Sequence, residues 1–87
     1  MITVGEAKQI TKKKILQLNI RYEVLPKYLR NDLILVEQYD RKGPIYDCYL
    51  DEVYSSINSA MCDGIISLSD ADNLRKVFYF DNMDKGL

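Results

Sequence analysis

The fold is decided by residues 44–80, which read PIYDCYLDEVYSSINSAMCDGIISLSDADNLRKVFYF. In the first half of this stretch, apolar residues recur every three or four positions, and polar residues fall on the opposite side of a helical wheel. This spacing predicts an amphipathic helix over 45–62 with one buried face. Asp63-Gly64 is expected to end the helix, because glycine adopts the left-handed conformation without steric cost.

A second helix is predicted over 69–80. Ser67 or Ser69 can cap its amino end, acidic residues lie in its first turn, and basic residues precede its last turn. Because only a short segment separates this helix from the one before it, the two are expected to pack together. The predicted geometry is a C-terminal antiparallel αα-hairpin.

The amino-terminal half contains two further helical patterns. Thr3 and Glu6 have capping-box spacing, and the apolar stripe after them predicts a helix over 3–24 that stops before Pro26. A broad apolar arc then predicts a helix over 27–42. Together with the hairpin, these patterns predict an all-α fold, a small single domain of four helices.

A competing pattern runs through the same half. Within residues 15–24 apolar and polar side chains alternate, which is typical of a half-buried strand, and residues 33–50 also fit a β-hairpin. The alternative fold is therefore α+β, with a short hairpin or strand within residues 15–50. We favour helix, because a single strand needs a partner and the segments that follow have helical spacing.

Length and composition indicate one folded domain. The chain has 87 residues, of which 47% are hydrophobic and 29% charged. We expect a compact domain over 1–87 in which 81–87 form a frayed tail. No apolar run approaches the roughly 20 residues of a membrane span, and no signal-peptide core is present, so the expectation is a cytoplasmic protein without membrane contact. Cys48 and Cys62 would lie about 21 Å apart along one helix, so we expect free thiols.

The sequence contains no histidine. Its absence removes Ser-His and Cys-His nucleophile activation and most zinc sites. Two cysteines cannot complete a structural zinc site, and the four scattered glycines form no phosphate loop. We therefore expect a protein that is not an enzyme and that has no catalytic residues, metal or cofactor.

The net charge of −1 conceals an uneven distribution. Residues 1–43 contain nine Lys or Arg against five acids, whereas residues 44–87 contain three against eight. The positive charge is concentrated in a candidate basic contact patch, which can meet a phosphate backbone or an acidic protein surface. The patch consists of Lys8, Lys12, Lys13, Lys14, Arg21, Lys27 and Arg30.

Aromatic and acidic residues form two further candidate surfaces. Tyr79 and Phe80 fall away from the inward stripe of the last helix, so they are candidate anchors for a partner chain. A candidate acidic surface can meet a basic partner or imitate nucleic acid. Its members are Asp47, Asp51, Glu52, Asp70 and Asp72.

No motif in the chain is specific to a reaction, so function is inferred from exclusion and from these surfaces. The leading hypothesis is a small non-enzymatic protein that binds another protein as a regulator, adaptor or inhibitor. Richness in Lys, Ile, Asn and Tyr is typical of a low-GC bacterium, its phage or a mobile element. The alternative is a nucleic-acid-binding protein that uses the basic patch of residues 8–30. A homo-oligomer, formed through an exposed apolar face, is compatible with a domain of this size.

Overall fold

The computed structural model describes residues 2–38 and 45–80. Within these ranges the chain forms four α-helices, two short turns of other helical types and no strand. The predicted all-α class is therefore confirmed, and the α+β alternative is wrong for the described parts of residues 15–50. In chain order the elements are α1 (Val4–Gln17), a 3₁₀ turn (Tyr22–Val24), α2 (Lys27–Gln38), α3 (Tyr46–Cys62), α4 (Leu68–Leu74) and a π-helical turn (Arg75–Phe80).

The helix predicted over 3–24 is too long, since α1 ends at Gln17. Asn19 has a φ of 61°, a left-handed conformation that asparagine tolerates better than most residues. The Ile20 amide donates to the Ile15 carbonyl at 3.3 Å, and the Asn19 amide donates to the Leu16 carbonyl at 3.0 Å. This pair of hydrogen bonds is a Schellman C-cap, which turns the chain out of the helix. The segment that follows is neither a continued helix nor a strand.

The end of α3 and the start of α4 agree with the predicted turn, whereas the α-helix predicted over 69–80 ends at Leu74 and continues as the π-helical turn. Gly64 has a φ of 75°, and the amide of Ile65 donates to the carbonyl of Ala60 at 3.0 Å, so a second Schellman C-cap ends α3. Ser67 is the cap of α4, because its hydroxyl oxygen accepts a hydrogen bond from the Asp70 amide at 3.0 Å. Since α3 packs against α4 and against the π-helical turn, the predicted C-terminal αα-hairpin is confirmed.

One hydrophobic core joins the helices, and α2 is its central element because it packs against both α1 and α3. Leu29 and Leu33 of α2 are fully buried, as are Ile57 of α3 and Phe78 of the π-helical turn. Thr11 is a buried polar residue of α1, and its hydroxyl donates to the carbonyl of Ala7 at 2.8 Å. The remaining faces of α1 and α2 are consequently free to carry the charged residues.

Some expectations from the sequence concern residues at or beyond the edges of the described ranges. The last part of the helix predicted over 27–42 and the frayed tail predicted over 81–87 lie outside the described residues.

Cys48 and Cys62 lie on α3 as exposed free thiols, in agreement with the predicted separation along one helix. None of the helices within the described ranges has the length and apolar character needed to cross a membrane.

Candidate anion-binding surface

Tyr22 lies where α1 and α2 approach each other. The 3₁₀ turn that carries it follows the early end of α1, so the half-buried ring packs against the core and reaches both helices. Lys12 of α1 places its Nζ 5.3 Å from the ring centroid, and Arg30 of α2 places its Cζ 5.4 Å from the same centroid. Each cation–π contact of this kind contributes about 0.5 to 2 kcal/mol. The ring therefore holds two cations from different helices beside each other.

Two concave surfaces meet at Tyr22, and together they contain five of the seven residues of the predicted basic patch. We name these five residues, with Tyr22, the Tyr22 surface: Lys8, Lys12, Arg21, Lys27 and Arg30. The first concavity, of about 280 Å³, is lined by Val4, Lys8, Tyr22, Lys27, Arg30, Asn31 and Ile34. The second, of about 220 Å³, is lined by Lys12, Leu16, Ile20, Arg21, Tyr22 and Glu23.

The other two residues of the predicted patch lie apart from Tyr22. Lys14 faces the interior, where its Nζ forms an ion pair with Glu37 of α2 and lies 5.6 Å from the ring centroid of Phe78. Because the side chain of Glu37 is only 6% exposed, this pair is largely shielded from water. Lys13 is exposed on the outer face of α1. Of the three consecutive lysines, Lys14 thus points inward, away from Lys12 and Lys13.

The cations of the Tyr22 surface are not neutralised within the described part of the chain. The ion pairs found there join Lys14 to Glu37 and Arg75 to Asp72, so none of the five takes part. Glu23 lowers the net charge of the second concavity. The first contains three cations and no carboxylate from the described residues, so it attracts anions more strongly.

The outer face of α1 has a different character. Leu16 is 72% exposed and Ile10 is 38% exposed, and they lie beside Lys12, Lys13 and Gln9 along one shallow concavity of about 450 Å³. No acidic side chain of the described residues lines it. We name this concavity the α1 groove. It combines exposed apolar area with positive charge, so a partner can make both kinds of contact there.

The predicted aromatic anchors differ in accessibility. Tyr79 is half-buried and packs against Tyr54 of α3, with ring centroids 5.0 Å apart. Phe80 is 45% exposed and meets Tyr79 edge to face at 5.1 Å. Tyr79 thus covers the edge of the core, and Phe80 is the more accessible of the two candidate anchors.

The predicted acidic surface is divided between two helices. On α4, Asp70 is half-buried and Asp72 forms an ion pair with Arg75 at 2.8 Å. The guanidinium of Arg75 also donates to Asn58 of α3 and lies 5.4 Å from the ring centroid of Tyr54. Arg75 therefore ties α4 to α3 and offsets the charge of Asp72. The members on α3 are exposed: Asp47, Asp51 and Glu52.

Three residues of these surfaces were not singled out by the sequence as contact residues. Ile10 and Leu16 lie outside the buried stripe of α1, so a helical wheel that separates the two faces identifies them. Tyr22 gives no comparable signal, since it belongs to the apolar stripe of the predicted helix. Its position depends on the turn that follows α1.

The described surfaces supply positive charge, hydrogen-bond donors and apolar contact, which are the components of molecular recognition. Within residues 2–38 and 45–80, no group of three or more Cys, Asp or Glu side chains is arranged to hold a metal ion. Comparisons with protein-family models, with curated proteins and with solved structures find no match for this chain.

Proposed function

We propose that this protein works by binding another protein, as a small non-enzymatic cytoplasmic regulator, adaptor or inhibitor, and that the partner docks in the α1 groove. The observation that carries the proposal is the 72% exposure of Leu16 beside Ile10 in that groove. Covering a leucine side chain that is otherwise in water contributes about 1.5 to 3 kcal/mol. A partner with a complementary apolar face gains this free energy on binding.

Charge complementarity defines the partner further. Lys12 and Lys13 line the groove together with Ile10 and Leu16, and the described residues add no carboxylate to it. An acidic amphipathic segment fits this pattern, because its apolar side covers the two aliphatic residues while its carboxylates meet the two lysines. A nucleic acid gains less here, since phosphates and sugars bury little aliphatic surface.

The proposal is tested by capturing partners from a lysate of the source cell with purified protein, after nuclease treatment and at moderate salt. Leu16→Gln removes the apolar contact without changing the charge. Leu68→Gln is the matched control, because Leu68 is 64% exposed and lies on α4. A protein that is retained by the parent and by Leu68→Gln, but lost with Leu16→Gln, supports docking in the α1 groove once the purified pair reproduces this difference in affinity. Equal retention by all three forms would refute it.

A second copy of the chain is an alternative occupant of the α1 groove, and the same two variants test for it. Sedimentation of the purified protein reports whether it self-associates. A dimer that Leu16→Gln dissociates and Leu68→Gln preserves would make the α1 groove a homo-oligomer interface and would overturn the proposal of a different protein partner. A parent protein that sediments as a monomer excludes a second copy as the occupant of the groove.

A further inference from the structure

We propose that the Tyr22 surface is a second binding site, which holds the sugar-phosphate backbone of a single-stranded nucleic acid with phosphates in the two concavities on either side of Tyr22. This site is distinct from the proposed protein-binding groove, although Lys12 and Leu16 lie on the border that the two share. The ligand of the Tyr22 surface is a chain of phosphodiester groups, because of the number, type and arrangement of the cations around the ring.

The arrangement provides two adjacent anion sites. Lys8, Lys27 and Arg30 line the first concavity, and Lys12 and Arg21 line the second. Since no ion pair with a described residue engages them, these cations gain most from an external anion. A single strand carries regularly spaced charges on one covalent backbone, so it can place neighbouring phosphates in neighbouring sites.

The side-chain chemistry suits phosphate oxygens. Arg30 presents a planar set of donors that matches the geometry of a phosphate. The first concavity also includes Asn31, whose amide supplies a further donor. Lysines act as point charges on the same group. An oxygen-rich anion satisfies all of these donors together.

Tyr22 is the positioning residue of this surface. Its ring lies within 5.3 Å of the Lys12 Nζ and 5.4 Å of the Arg30 Cζ, so it keeps the two concavities next to each other. The concavities have volumes of about 280 and 220 Å³, so each has room for one phosphate group with its sugar, and a flexible single strand can bend to place neighbouring phosphates in both. Single strands are therefore the expected substrate.

The test is fluorescence anisotropy of a labelled 12-nucleotide oligo-dT with the full chain at 50 to 200 mM salt. Contacts from five cations predict a slope of log affinity against log salt near −3.5, at about −0.7 per phosphate on a single strand, and thus a loss of roughly 100-fold over this range. Absence of binding at 50 mM salt would overturn the proposal, and so would tighter binding of the corresponding duplex.

Lys27→Gln and Lys76→Gln form a matched pair, since both lysines are exposed and both changes alter the net charge equally. Lys27→Gln should weaken oligo-dT binding about fivefold at 50 mM salt and make the slope shallower by about 0.7. Lys76→Gln should change neither. Equal effects of the two variants would show non-specific attraction and overturn the assignment, as would equally tight binding of poly-glutamate.

Tyr22→Leu should weaken binding with an almost unchanged salt slope, and Tyr22→Phe should retain parental affinity because it keeps the ring. If Tyr22→Phe binds as weakly as Tyr22→Leu, the positioning role is wrong. The neutral change Ile10→Gln should weaken capture of the protein partner and leave oligo-dT binding intact, because Ile10 lines the α1 groove and neither concavity beside Tyr22. Failure of this site and failure of the protein-binding proposal are thus observed in different variants.

Discussion

Replacing Asn19 with alanine should destabilise the protein, because this residue ends α1 in a left-handed conformation with a φ of 61°. A residue with a Cβ atom adopts that conformation at a cost of about 1 to 2 kcal/mol. Asparagine lowers this cost, since its short polar side chain can hydrogen-bond locally. Asn19 is exposed, so loss of packing adds little. We expect Asn19→Ala to lower the free energy of unfolding by about 1 kcal/mol.

If α1 continued as a helix over 3–24, Asn19→Ala would raise the free energy of unfolding instead of lowering it. In a helix interior alanine is favoured over asparagine by up to about 0.7 kcal/mol, so Asn19→Ala would stabilise such a helix. Glycine provides the matched control. At a left-handed position Asn19→Gly should be neutral or slightly stabilising, whereas in a helix interior it would be destabilising. The two structures therefore rank alanine and glycine in opposite orders.

Thermal and urea denaturation followed by far-ultraviolet circular dichroism measure this ranking. For a domain of this size, a change of 1 kcal/mol shifts the melting temperature by about 4 to 8 °C. We expect Asn19→Gly to melt at or above the parent and Asn19→Ala to melt below it. If Asn19→Ala melts above the parent and Asn19→Gly below it, the Schellman end of α1 is wrong.

Three further sets of substitutions test the second helix end, the inward ion pair and the core, all by urea denaturation. Gly64→Ala should lower the free energy of unfolding by about 1 to 2 kcal/mol, because alanine is strained at the left-handed φ of 75°. An added Cβ meets no atom within 4 Å, so no steric clash contributes. An unchanged urea midpoint would contradict the left-handed turn. Lys14→Met and Glu37→Gln should each lower the free energy of unfolding by about 1.5 to 3 kcal/mol, and the double variant should lower it by less than the sum of the two. Strict additivity would show that the two residues are not coupled. Leu33→Ala should cost about 2 to 5 kcal/mol, whereas Leu16→Ala should stay within about 0.5 kcal/mol, and similar losses would mean that the helix faces are misassigned.

Local signals located most of the helix ends correctly. The hydroxyl oxygen of Thr3 accepts a hydrogen bond from the Glu6 amide at 3.1 Å, as the capping-box spacing predicts. Gly64 and Ser67 likewise mark the end of α3 and the start of α4. Each of these signals depends on contacts between residues close in the chain. They are therefore readable from a single sequence without knowledge of the packing.

The end of α1 shows where local reading was insufficient. Asn19 is a recognised C-cap residue, but the apolar stripe continues past it and favoured a longer helix. The competing strand pattern was also misleading. Ile20 and Leu25 are buried in the core from the irregular residues on either side of the 3₁₀ turn, so their apolar character reflects burial and not a regular period. Periodicity alone does not distinguish these cases.

The sequence by itself favoured the all-α class over the α+β alternative, and it determined the C-terminal hairpin and the concentration of positive charge between residues 8 and 30, because composition and helical period are properties of neighbouring residues. Only the tertiary structure decided how that charge is distributed. Packing of α1 against α2 brings Lys12 and Arg30 to the ring of Tyr22 and brings Lys14 to Glu37. These partners lie on different elements of the chain, so no local pattern encodes their contact. They meet because burial of the apolar faces of α1 and α2 sets the positions of the charged side chains beside them.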